Sequence, residues 1–308
     1  MLSSPLRSVI LAASRNARVE RLVAGAPLSR SVVSRFVAGE TVEDAVRASR
    51  DLTAKGLSVS LDHLGEDTTD AGQADATVKA YLLLLDRLRE AGLTGDGRVE
   101  VSVKLSAVGQ TISDDLALEG ARTICEAAAA AGTTVTLDME DHSTTDRTLA
   151  TLATLRQTHP QTGAVLQAYL HRTLDDCRAL ATPGSRVRLC KGAYREPADV
   201  AFQDADDVDA AYVRCMAVLM AGEGYPMLAT HDPALVERAL GLGRETGSYE
   251  FQMLYGIRPL EQERLAAQGH VVRTYVPYGD QWYGYLMRRL AERPANLVFF
   301  LRALASRS

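Results

Sequence analysis

No apolar run in this sequence reaches the roughly 18 residues that a membrane-spanning helix needs. The four cysteines, Cys125, Cys177, Cys190 and Cys215, form no CxxC pair. That spacing argues against a structural zinc site or a disulfide framework and fits a reducing compartment. The six histidines offer no HxH or HxxxH pair, which argues against a metallohydrolase. No basic stretch is interleaved with aromatics, and the net charge is −5 with a pI near 5.7, so nucleic acid is not an expected partner. The first strand candidate runs into Leu61-Asp-His-Leu-Gly-Glu66, which is no glycine-rich phosphate turn. An open, doubly wound dinucleotide-binding sheet would normally carry such a turn there.

What is present is a chain of 308 residues, 46% hydrophobic and 24% charged, enough apolar content for a large core. Residues 1–55 show only helical patterns and read as an N-terminal helical arm. Ser8 to Ser14 is a short apolar stretch, but Arg15, Arg18 and Arg21 follow and no convincing cleavage site appears. It reads as an amphipathic helix rather than a signal peptide. Thr41-Val-Glu-Asp44 has the form of a capping box. From about residue 57 short β-branched runs alternate with longer helical patterns. The strand candidates are 57–62, 99–104, 133–138, 164–169, 185–191, 226–230, 249–253 and 271–275. Helical segments lie between them at 78–91, 115–131, 145–158, 207–220, 233–242 and 261–268. Eight β-α units in about 240 residues predict an α/β fold, a closed (β/α)8 barrel over residues 56–308.

Barrel enzymes place their chemistry at the carboxyl ends of the strands. Here nearly every candidate strand ends in polar residues: Asp62 and His63, Lys104, Asp138-Met-Glu140-Asp141-His142, Gln167, Arg188 and Lys191, Thr230-His231, and Tyr275. One such end is ordinary solvated polarity. Many at one rim point to a large polar ligand, because unpaired buried charge is costly. Lys104 or Lys191 could form a Schiff base, as in class I aldolases. The acidic run at Asp138, Glu140 and Asp141 could hold a divalent metal only if the strand continued. On the last helix, Tyr285, Arg288, Arg289, Glu292 and Asn296 share one broad face. Two arginines braced by Glu292 suit a small carboxylate, although the same spacing also describes a surface ion pair.

These blocks, in order, resemble the monofunctional bacterial proline dehydrogenases, flavoenzymes that share a catalytic domain with proline utilisation A. The matching blocks are Leu64-Gly-Glu66, Ser102-Val-Lys-Leu-Ser106, Leu137-Asp-Met-Glu140, Leu166-Gln-Ala-Tyr169, Arg188-Leu-Cys-Lys-Gly-Ala-Tyr194, Ala229-Thr-His231, Glu250-Phe-Gln252, Arg273-Thr-Tyr275 and Tyr285-Leu-Met-Arg-Arg289 with Glu292 and Asn296. The resemblance implies a distorted (β/α)8 barrel with FAD across its carboxyl-end mouth and no metal. It also implies that the last helix lies above that mouth. The implied reaction is oxidation of L-proline to 1-pyrroline-5-carboxylate, with hydride passing from proline C5 to flavin N5 and electrons onward to a membrane quinone. The implied setting is cytoplasmic, peripheral at the inner face of the cell membrane, with 1-pyrroline-5-carboxylate dehydrogenase as a candidate partner.

Residue by residue, the resemblance assigns Asp138, Arg188 and Tyr275 to catalysis. Lys104, Arg288 and Arg289 would hold the substrate carboxylate. Tyr194, Leu254 and Tyr285 would wall the pocket, Glu292 would orient the arginines, and Glu66 would pair with Arg288 as a gate. Met139, Gln167, Arg188, Lys191, Gly192, Ala193, Thr230 and His231 would contact the flavin. Gly192 is expected there because it lets backbone approach a cofactor closely. Arg188 would sit near the reactive flavin nitrogen, where a cation stabilises the charge that develops on reduction. Tyr275, packed on the ring, favours proline over hydroxyproline. Arg195, after Gly-Ala-Tyr194, departs from the family pattern and is left out of the site.

Overall fold

The strands show a strict apolar–polar alternation that fully buried parallel strands usually lack. Leu57, Val59 and Leu61, then Val99, Val101 and Val103, Val187 and Leu189, and Phe251 and Met253 are all buried, each separated by a polar residue that is also buried. Both faces of these four strands are therefore enclosed, one in an apolar environment and one in a polar one. In the computed structural model, which describes residues 33–292 with the side chains of 288–292 left aside, a closed cylinder accounts for this. The apolar set faces surrounding helices and the polar set faces the cylinder axis.

Eight parallel strands follow the chain: β1 (Ser58–His63), β2 (Val99–Val103), β3 (Val135–Leu137), β4 (Ala164–Gln167), β5 (Arg186–Cys190), β6 (Tyr225–Ala229), β7 (Glu250–Leu254) and β8 (Val271–Tyr278). The helices are α1 (Val42–Ala54), α2 (Ala71–Glu90), α3 (Asp114–Ala130), α4 (Thr145–Arg156), α5 (Thr173–Leu180), α6 (Ala205–Ala221), α7 (Pro233–Leu240), α8 (Pro259–Ala267) and α9 (Trp282–Glu292). The sheet order is β3-β2-β1-β8-β7-β6-β5-β4, so β1 pairs with both β2 and β8. The remaining seam is bridged just before β4. There Leu137 N–H donates to Gly163 O (2.9 Å) and Gly163 N–H donates to Val135 O (2.8 Å). A Cβ at Gly163 would stand 2.5 Å from Thr136 Oγ1, so only glycine closes the barrel at this point.

The expected strands are all present. The third is shorter than its 133–138 candidate and ends at Leu137; Asp138 and the residues after it belong to the loop. The helix expected from residue 78 starts at Ala71, where Asp70 caps it by accepting from Gln73 N–H. Helix α5 has no counterpart among the expected helical segments; four of its eight residues, Thr173, Asp175, Asp176 and Arg178, are charged or polar, which leaves little apolar signal. The Thr41–Asp44 capping box is present at the start of α1. The arm's first part, including 8–14, lies outside the described residues. Among the described residues no helix is long and apolar enough to cross a membrane.

The polar interior is paired charge. Glu100 on β2 is fully buried and meets Arg186 at 2.5 Å, Arg188 at 3.6 Å and Arg273 at 3.8 Å. Arg273 also binds Glu250 at 2.7 Å, and Gln252 Nε2 donates to Glu250 at 2.6 Å. Burial alone would raise the Glu100 carboxyl. The guanidiniums of Arg186, Arg273 and Arg188 outweigh burial and hold it at about 2, below the ordinary 4.5. A carboxyl depressed in the folded state stabilises fully above its ordinary value, and that stability fades as pH falls from 4.5 toward 2. Glu100→Ala leaves Arg186 without a carboxylate and takes one partner each from Arg188 and Arg273, and should cost about 3–5 kcal/mol in a denaturant titration. Glu100→Gln should also flatten the acid limb of the stability–pH curve between those two values.

Candidate active site

The inward positions nearest the carboxyl ends of β1, β2, β3, β5 and β8 converge on one cluster. Asp62 ends the inward row of β1, Lys104 follows β2, Asp138 follows β3, Arg188 lies on β5 and Tyr275 on β8. Arg188 is the hub. Its Nη1 donates to Asp138 Oδ1 (2.6 Å) and Ser102 Oγ (3.0 Å), its Nη2 to Ser60 Oγ (3.2 Å), and its Nε to Gln252 Oε1 (2.5 Å). The guanidinium carbon stands 5.3 Å from the Tyr275 ring centroid, a cation–π arrangement. Tyr275 donates its hydroxyl to Asp138 Oδ2 at 2.6 Å. Burial first, then the Asp138 charge, pushes that phenol well above its ordinary range, so it stays a donor.

Lys104 completes the group. Its ammonium binds both oxygens of Asp62 at 2.7 Å and approaches Tyr275 Oη at 3.4 Å and Asp138 Oδ2 at 3.6 Å. Burial would lower the Lys104 pKa, but Asp62 and Asp138 outweigh it and raise it. A Schiff-base lysine must be neutral to attack a carbonyl. Lys104 is held in the opposite state. Lys191 is likewise paired, with Asp209 and with Asp232 at 3.1 Å, and its pKa is raised by those carboxylates against burial. The aldolase alternative has no free amine at either position.

The expected cofactor residues line the adjoining arc from β3 to β6. Met139 and Gln167 are buried, and Gln167 Nε2 donates to Glu140 O at 2.8 Å. Glu140 binds the Ser106 backbone N–H (3.0 Å) and its hydroxyl. Its side chain therefore anchors the loop after β2. Among the described residues no group of three or more His, Cys, Asp or Glu side chains could hold a metal ion. Thr230 Oγ1 accepts from Asp232 N–H at 3.1 Å, and His231 Nε2 accepts from Leu254 N–H at 2.9 Å, which places the neutral ring's hydrogen on Nδ1. Ala193 is exposed; Lys191, Gly192 and Tyr194 are half-buried.

At Gly192, φ is +115° and a Cβ would lie 2.4 Å from the Tyr169 ring, so this chain's own tyrosine already requires glycine at this position. Leu254 ends β7 at half burial, and Tyr285 is buried on α9. Glu66 lies in the β1–α2 loop near Lys104. The side chains of Arg288, Arg289 and Glu292 lie outside the described residues, as does Asn296. Asp62, Ser60, Ser102 and Gln252 are the additions. All four sit at polar positions of the alternating strands, which is the signal that marks them.

An eight-stranded parallel barrel with a cation–carboxylate–tyrosine cluster at its carboxyl end is the architecture of a barrel enzyme acting on a small polar substrate. Comparison with known proteins makes this specific. The family model described as proline dehydrogenase matches residues 45–302. Proline dehydrogenase 1 of Bacillus subtilis (strain 168) is 37% identical over 303 residues, covering 97% of this chain and 99% of that protein. Proline dehydrogenase of Deinococcus radiodurans is 37% identical over 315 residues, covering 99% of each. The crystal structure of proline utilization A (PutA) from Bdellovibrio bacteriovorus inactivated by N-propargylglycine superposes with a TM-score of 0.78 at 26% identity, covering 92% of this chain and 36% of that one. The chain belongs to the proline dehydrogenase family.

Asp62 generates a test that needs no substrate. In Asp62→Asn, Lys104 loses its bidentate partner, and its pKa should fall by about 1–3 units. Competitive acylation of Lys104, read by mass spectrometry across pH, should show the variant reacting at lower pH than the wild type. Coincident profiles would mean that Asp138 alone sets the charge of Lys104.

Proposed function

We propose that the chain oxidises L-proline to 1-pyrroline-5-carboxylate, the first step of proline catabolism. The observation that carries this reading is the cluster of Arg188, Asp138, Tyr275 and Lys104, built at the carboxyl end of a barrel of this family. Oxidation at C5 requires the ring nitrogen to have lost its proton, and it removes a hydride from the carbon beside that nitrogen. The substrate therefore has to be held by its carboxylate, away from the reacting bond.

Lys104 is one charged donor for that carboxylate, and Arg288 and Arg289 on α9 are the other two. Tyr275 stands between Lys104 and Asp138, and a pyrrolidine ring would pack against it. Tyr194, Leu254 and Tyr285 wall the pocket, with Glu292 and Glu66 orienting the arginines. Asp138 fixes both Tyr275 and Arg188, so it acts through position and charge. Fixing donor and acceptor in near-attack geometry accounts for about 7–11 kcal/mol of a barrier.

The donor set on the neighbouring arc suits FAD. Arg188 and Lys191 are cations, Gln167 and Thr230 bring polar groups, and Met139 supplies an apolar wall. These residues, with Gly192, Ala193 and His231, would hold the cofactor. FAD, when bound, supplies the hydride acceptor. A membrane quinone would be the onward electron acceptor, which suits a cytoplasmic protein that visits the inner face of the cell membrane. The product is an imine in equilibrium with an aldehyde, the substrate that a 1-pyrroline-5-carboxylate dehydrogenase consumes.

An anaerobic spectrum of the FAD-supplemented protein tests the reading. L-Proline should abolish the flavin absorbance near ~450 nm, as expected for electrons entering the cofactor. Bound flavin untouched by proline would redirect the search to other secondary amines, and a protein that takes up no flavin would refute the reading. Arg289→Met should raise the proline KM at least about tenfold, the worth of one charge-assisted hydrogen bond, and leave FAD affinity near wild type. Equal losses of both would indicate a folding defect.

A further inference from the structure

Glu196 lies three residues past the Lys191–Ala193 stretch, in the loop between β5 and α6. Its side chain is 4% exposed. It meets no lysine or arginine among the described residues. Its partners are three groups from two other loops. Oε1 accepts from the His142 backbone N–H at 2.9 Å and from the Tyr169 hydroxyl at 3.3 Å, and Oε2 pairs with His142 Nδ1. A buried carboxylate of this kind is a poor way to gain stability, since desolvation offsets most of what the contacts return. What it fixes is the relative position of the loops it joins.

Those loops carry the expected cofactor contacts. His142 closes the segment after β3 that begins with Asp138 and Met139. Tyr169 follows β4 and Gln167. The Tyr169 ring lies against the Gly192 backbone, its N–H donates to Lys191 O at 2.9 Å, and the Tyr194 backbone N–H faces its hydroxyl oxygen. Phe202 N–H donates to Tyr169 O at 2.8 Å and His171 N–H to Val200 O at 2.9 Å, so the far side of the same loop is tied as well. Tyr169 thus supports the stretch 191–194 from beneath, and Glu196 holds Tyr169 and His142 together.

The geometry points to Glu196, acting through Tyr169 and His142, as a positioning residue that aligns the three loops of the FAD cradle. This rests on the flavin reading above. Removing the carboxylate should loosen the cradle without unfolding the barrel, whose own interior charges are untouched.

The test is titration of apoprotein with FAD, followed by quenching of flavin fluorescence, for the wild type, E196Q, E196A and Y169F. The dissociation constant should rise roughly 10- to 100-fold in E196A, the worth of hydrogen bonds to a charged group. E196Q keeps one carbonyl acceptor and should fall between wild type and E196A. Y169F keeps the ring under Gly192 and loses only the 3.3 Å hydrogen bond to Glu196, so it should weaken binding less than E196A, about threefold to tenfold. The visible circular dichroism of bound flavin should change across the same series. A purely structural Glu196 would lower the melting temperature of the apoprotein and leave FAD affinity unchanged, which would overturn the proposal. If E196A fails to fold, unchanged affinity in Y169F overturns it equally. A wild type that binds no FAD fails the functional reading itself, before any variant is compared.

Discussion

The ion pair between Arg188 and Asp138 is the contact on which the rest of the site depends. Arg188 is 5% exposed and would be prohibitively costly to bury alone. Asp138 at 2.6 Å answers its charge, and the serines of β1 and β2 with Gln252 of β7 take its remaining donors. Lysine could not replace it, because only a planar guanidinium reaches five elements of the barrel at once. Asp138 in turn has one oxygen on Arg188 and the other on Tyr275. The Arg188 guanidinium and the Tyr275 phenol are thereby fixed by a single carboxylate.

That pair can exist only because the whole barrel axis is charge-balanced. Asp62, Glu100, Asp138 and Glu250 are matched by Lys104, Arg186, Arg188 and Arg273. The lower group joins Glu100 with Arg186 and Glu250 with Arg273, and Glu100 also reaches up to Arg188 at 3.6 Å. The upper pairs, Lys104 with Asp62 and Arg188 with Asp138, lie at the mouth. The division explains why an axis that most barrels fill with branched aliphatic side chains is polar here. The lower layer screens and orients Arg188 from beneath, so the cation stays at its post when ligands change the charge above it.

This logic was partly legible in the sequence. Alternation of apolar and polar residues in Val99-Glu-Val-Ser-Val-Lys104 or Arg186-Val-Arg-Leu-Cys190 marks strands, and the polar residue at each end marks the rim. Lys104, Asp138, Arg188 and Tyr275 were found that way, together with the resemblance. The inner polar residues were not, because Glu100, Ser102 and Gln252 look like solvated positions until the sheet closes and turns them inward. Asp62 was visible as a strand end but gave no hint of pairing with Lys104, which lies 42 positions away. Gly192 shows the reverse limit: its need for close approach could be read, but the Tyr169 ring that makes the approach could not.

The part of the site that follows the barrel is placed by a different device. Helix α9 starts four residues after β8, and the entry is clamped by the chain that precedes α1. Ala38 N–H donates to Pro277 O at 2.9 Å, Gly279 N–H donates to Gly39 O at 3.0 Å, and Trp282 Nε1 donates to Glu40 Oε1 at 3.0 Å. On the other side Leu64 N–H donates to Tyr278 O at 2.8 Å, so the loop that carries Glu66 is registered against the same turn. A helix attached to a barrel by a three-residue link could leave the rim in many directions. Two backbone bonds and an indole bond, made by residues 38–40, restrict where α9 begins. The segment ahead of α1 is thus coupled to the helix that bears Arg288 and Arg289. The barrel cluster is fixed by buried charge, and α9, the helix proposed to complete the site, is fixed at its root by hydrogen bonds from the other end of the described chain.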